Sequence, residues 1–93
     1  MERQTFRSVW DALEDSTVEA ANMKARSELM IAVTNRIESW GLSQAEAAQR
    51  IGITQPRLND LLRGRINRFS LDALVNLAAK AGLAVRIEAG EAA

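Results

Sequence analysis

Apolar residues recur along most of this chain at three- and four-residue steps, the spacing that puts them on one side of a helix. Phe6, Val9, Trp10 and Leu13 stand at i, i+3, i+4 and i+7 and predict a short amphipathic helical turn from residue 6 to about 14. Ser16 with Glu19 reads as a capping box, in which each side chain takes a backbone amide that the first turn leaves without a partner. It predicts the start of a long helix, striped by Val18, Ala21, Leu29, Val33, Ile37 and Trp40, with Ala25 and Met30 between them and Gly41 at its end. Ser43 and Glu46 repeat the box and open a helix to about Ile51. Gly52 follows where the backbone must turn sharply, and Thr54 caps a second short helix. On that helix Leu58, Leu61 and Leu62 share one face, Pro56, Asn59, Asp60 and Arg63 the opposite one, and Gln55 and Arg57 flank it. After a basic loop from Arg63 to Phe69, Ser70 caps a helix with Leu71, Leu74, Val75, Leu77 and Ala78 on its apolar face, and Gly82 ends it. Leu83, Val85 and Ile87 alternate with Ala84, Arg86 and Glu88, the period of two of a half-buried strand.

Two segments admit two roles each. Phe6 and Trp10 suit a lid on the core better than an arm that binds a partner, although aromatic anchors serve both. The stripe of the long helix suits a core wall better than a dimerising coiled coil, which needs several clean heptads. With 93 residues the chain builds one hydrophobic core. Its expected organisation is an N-terminal arm or short helix over 1–15 and a single domain over 16–93, ending in a strand. A strand needs a neighbour, and no second convincing strand is present. The economical partner is the same strand of a second copy, burying Leu83, Val85 and Ile87 with Arg86 of one copy facing Glu88 of the other.

Composition narrows the chemistry. There is no cysteine for a disulfide or thiolate and no histidine, the commonest metal ligand and general base, so no metal site and no cofactor are expected. No spacing joins a nucleophile to a base and no glycine-rich loop suits phosphate, which argues against an enzyme. No apolar run approaches the length of a membrane span, so a cytoplasmic protein without membrane contact is expected. Net charge is zero, but its distribution is uneven: Arg50, Arg57, Arg63, Arg65 and Arg68 face only Asp60 between residues 50 and 68, while residues 1–30 hold six acids against four bases. Positive charge is thus concentrated around the second short helix and the loop after it, where nucleic acid is the natural partner.

The stretch LSQAEAAQRIGITQPRLNDLLRG, residues 42–64, resembles the helix-turn-helix of the Xre and Cro-type phage-repressor family over its whole length. From about Ala20 to Ile87 the chain more weakly resembles the small single-domain antitoxin regulators of that family; residues 1–15 are covered least. The resemblance implies an all-α, lambda-repressor-like helical domain, here with a short C-terminal β-strand, that binds double-stranded DNA as a homodimer. It also implies a sequence-specific regulator that represses from a palindromic operator. The alternative it carries is an antitoxin that neutralises a RelE-like protein toxin and represses its own operon. Position by position, it implies that Gln44 reaches a phosphate, that Thr54 belongs to the DNA-binding set, and that Gln55 and Asn59 read bases, their amides suiting adenine N6 and N7. Pro56, where many relatives carry a polar residue, offers apolar contact to a thymine methyl. Arg57 suits a guanine edge or a phosphate. Asp60 suits a cytosine amine, or else pairs with Arg57 or Arg63. Arg63, Arg65, Asn67 and Arg68 are expected to grip the backbone without carrying sequence information.

Overall fold

The first 40 residues contain neither glycine nor proline, so nothing in them interrupts a helix once it has begun. The computed structural model describes the backbone of residues 2–91 and the side chains of residues 16–91. In it α1 is one continuous helix, Glu2–Ser39, about 57 Å long at 1.5 Å per residue. The start expected at Ser16 is therefore absent. A capping serine acts only where the backbone leaves the helix, and no breaker precedes it to make the backbone do so. The expected lid or arm of Phe6 and Trp10 lies outside the described side chains.

Among the described side chains, α1 serves the core from its C-terminal part. Met30, Val33 and Ile37 are buried there, with Leu29 and Trp40 partly buried beside them. Residues 16–24 are exposed, including Val18 at 62% and Ala21, so the front of the expected apolar stripe faces solvent.

The other elements are α2 (Gln44–Ile51), α3 (Gln55–Leu62), a 3-10 turn (Ile66–Arg68) and α4 (Leu71–Lys80). Each of the three short helices starts at the residue its sequence marks. Ser43, Thr54 and Ser70 accept hydrogen bonds on their hydroxyl oxygens from the amides of Glu46, Arg57 and Ala73. The capping box of α2 is half formed: the Ser43 hydroxyl donates to the Glu46 carboxylate at 2.8 Å, and that carboxylate does not take the Ser43 amide.

Helix α4 packs on α1 through Leu74, Leu77 and Ala78, and Arg36 Nε donates to the carbonyl of Ala81 at 3.1 Å, tying α1 to the end of α4. The core closes over Ile51, Leu58 and Leu61 from the short helices. Burial of each such side chain contributes about 1.5–3 kcal/mol. Phe69, expected in a basic loop, is instead a core residue at 1% exposure and the largest of the fully buried side chains.

The fold is all-α. Among the described residues there is no strand, and the segment from Leu83 has no regular structure. Leu83 and Val85 rest partly buried against the core, while Arg86, Ile87 and Glu88 are exposed. Alternation alone cannot make a strand when the chain offers no second edge to hydrogen-bond with.

Candidate nucleic-acid interface

The path of α2, turn and α3 is fixed by Gly52. Its φ of 78° and ψ of 34° are left-handed, a conformation that a Cβ disfavours. There the amide of Ile53 bonds back to the carbonyl of Ala48 at 3.0 Å and that of Gly52 to Gln49 at 3.3 Å, satisfying carbonyls the helix end would leave bare. Ala47 and Ala48 are both buried, and their small side chains let the two helices approach closely. With Leu58 and Leu61 anchored inward at 0% exposure, helical geometry turns the other side of α3 outward.

That outward side carries the expected residues. Gln55, Pro56 and Arg63 are exposed, Asn59 is half-buried, Thr54 stands exposed as the cap, and Gln44 is exposed as the first residue of α2. Arg65, Asn67 and Arg68 are exposed on the loop beyond α3. Arg63 makes no ion pair among the described residues. The dimerisation candidates Leu83 to Glu88 belong instead to the segment that leaves α4 and lies against α1 and α4.

Two arginines are engaged in ways the helical spacing does not show. The Arg57 guanidinium lies 3.9 Å from the centroid of the Phe69 ring and donates to the carbonyl of Arg68 at 2.6 Å. Arg50 lies over the Trp40 ring at 4.1 Å, bracing α2 against the end of α1.

Asp60 pairs with neither Arg57 nor Arg63. Its carboxylate accepts from Arg65 at 3.2 Å and from Arg68 at 3.2 and 3.3 Å. The cause is Gly64, left-handed at φ 70°, which turns the chain so that the amide of Arg65 bonds to the carbonyl of Asp60 at 3.0 Å. The 3-10 turn then brings Arg68 back to the same carboxylate. Helical pairing rules apply only while the helix lasts, and it ends before either arginine.

Sequence reasoning also missed Arg26. From α1 it donates to the carbonyls of Ile66 at 3.2 Å and Phe69 at 3.4 Å, holding the basic loop at both ends of the 3-10 turn. The available signal was its register, since it precedes Met30, Val33 and Ile37 by four, seven and eleven residues and so shares their core-facing row. Among the described residues no group of His, Cys, Asp and Glu is arranged to hold a metal, and no helix is long and apolar enough to cross a membrane.

Two short helices meeting at a glycine turn, the second with its polar face outward and a basic loop at its end, define a helix-turn-helix unit. A family model described as a helix-turn-helix domain matches residues 12–90. A solved chain assigned to the XRE family of transcriptional regulators is 30% identical, with 80% of this chain and 83% of that one covered, at a TM-score of 0.72. No curated protein matches. This chain belongs to the helix-turn-helix family, in its Xre branch.

Proposed function

We propose that this helix-turn-helix regulator binds DNA as a dimer at an inverted repeat and represses transcription there. The observation that carries it is the exposed polar face of α3, set beside a loop in which Arg65 and Arg68 are held by Asp60. In the major groove, Gln55 and Asn59 would face base edges and Pro56 a thymine methyl. Gln44, Thr54, Arg63 and Asn67, together with the arginines of the loop, would take phosphates and set the register.

Support for the dimer comes from the C-terminal segment. A groove of about 450 Å³ runs between α1, α4 and residues 83–88, lined in part by Leu29, Ala32, Val75 and Val85, and Ile87 at its edge is 84% exposed. A twofold partner placing its own segment antiparallel would cover this apolar row and set Arg86 against Glu88. The two α3 helices would then need to lie about 34 Å apart, one turn of DNA between half-site centres.

A salt titration tests the interface. With about six phosphates neutralised per dimer, log K against log salt should slope at about −5, and a slope near zero would remove DNA binding. A second role, neutralising a protein toxin, draws support from residues 16–24 of α1, which are exposed along their whole length. Stable co-purification with the product of an adjacent toxin gene, lost on substituting Val18, would establish it; a protein that leaves such a toxin unbound would exclude it.

A further inference from the structure

An acid at the centre of a DNA-facing surface repels phosphate, so Asp60 needs an explanation that a general basic patch does not provide. The Asp60 side chain is 17% exposed, while those of Arg65 and Arg68, whose guanidiniums pair with it, are 42% and 57% exposed. Oδ1 accepts from both arginines and Oδ2 from Arg68. One anion with two hydrogen-bonding oxygens thus sits inside a pair of arginines, the arrangement in which a phosphate would itself be held. The backbone fixes all three groups: Arg65 is tied by its amide to the Asp60 carbonyl at 3.0 Å, and Arg68 by its amide to the Arg65 carbonyl at 3.0 Å.

We propose that Asp60 is an internal counter-ion, a built-in stand-in for phosphate that sets how much of the charge of Arg65 and Arg68 reaches DNA. This deepens the proposed DNA-binding role and rests on it. Two cations and one anion leave a single net positive charge, so an approaching duplex meets a weaker loop than the sequence contains. A phosphate must share the guanidiniums with the carboxylate or displace it. The ionic term is common to every DNA sequence, so holding it down limits binding to DNA at large. The same carboxylate keeps both guanidiniums in one place, which makes Asp60 a positioning residue as well.

The test uses the full chain, a random-sequence duplex and a salt series read by fluorescence anisotropy. Asp60→Asn keeps the side-chain shape and removes the charge. It should bind the random duplex about sixtyfold more tightly at 0.1 M salt and steepen the log–log slope by about 1.8, the effect of releasing one more counterion from each chain of the dimer. Adding Arg65→Gln to Asp60→Asn should return both values to those of the wild type. Asp60→Glu, which keeps the charge, should keep the wild-type slope. If Asp60→Asn proves poorly folded by circular dichroism, Asp60→Ser takes its place with the same expectation. Unchanged or weaker binding by the folded neutral variants would overturn the proposal, because a merely structural carboxylate loses affinity when removed. So would an altered base preference with an unchanged slope, which would make Asp60 a base reader. A wild type that binds no duplex even at low salt would instead remove the interface itself and this proposal with it.

Discussion

Arg57 and Phe69 form a stacked pair, with the guanidinium 3.9 Å from the ring centroid, that joins the first turn of α3 to the far end of the basic loop. Because the guanidinium also bonds the carbonyl of Arg68 at 2.6 Å, lysine is a poor substitute: it keeps the charge and loses the planar stack. Arg57→Lys should lower stability by about 1 kcal/mol, read from thermal melts. It should also weaken binding to all DNA sequences to a similar degree, measured on a panel of duplexes. Loss of discrimination at a single base pair would place Arg57 in the groove instead.

Gly52 offers a cleaner test of backbone conformation. Nothing lies within 4 Å of where its Cβ would be, so Gly52→Ala meets no steric obstacle from neighbours. The φ of 78° remains, and holding alanine there costs about 1–2 kcal/mol. Chemical denaturation should show a loss of that size, and a variant as stable as the wild type would mean that the turn relaxes readily.

Asn59 and Arg63 should separate base reading from phosphate binding. Asn59→Ala is expected to relax preference at one base pair by about 1–3 kcal/mol. Arg63→Ala should weaken every sequence alike and flatten the salt slope by about 0.9 per chain. Selection from random DNA followed by titration measures both, and an unchanged preferred site for Asn59→Ala would remove it from the groove.

The C-terminal segment can be probed without disturbing the core. Truncation at Leu83 would also remove packing from Leu83 and Val85, whereas Ile87 is 84% exposed and contributes little to the single chain. Ile87→Asp should leave the melting temperature of the monomer unchanged and weaken dimerisation by about 3–6 kcal/mol, the burial of two isoleucines forgone. Sedimentation that still shows a dimer at low concentration would place the interface elsewhere.

What was legible in the sequence was what is decided within about five residues. Ser43, Thr54 and Ser70 cap helices, and Gly52 and Gly82 turn left-handed, because each act involves only neighbouring backbone groups. Ser16 misled because a capping signal has meaning only beside a break, and the chain has none there. Helical spacing offers Asp60 a cytosine amine or the partners Arg57 and Arg63, but the arginines it pairs with lie past the turn at Gly64, where that spacing no longer holds. Phe69 looked like part of a basic loop, yet an aromatic ring there could close the core once Arg26 and Arg57 held the loop down. The strand was read from a real alternation that a lone chain cannot satisfy.

The unbroken helix α1 has a thermodynamic consequence. One set of backbone hydrogen bonds runs from Glu2 to Ser39, and along its described side chains residues 16–24 are exposed throughout while burial begins near Ala25. A helical stretch whose side chains are unpacked is only marginally stable in water, so the amides of residues 16–24 should exchange with solvent through local opening, whereas those around Val33 and Ile37 should exchange only when the whole domain opens. A single element of secondary structure is thus divided between two folding units, with the boundary near Ala25.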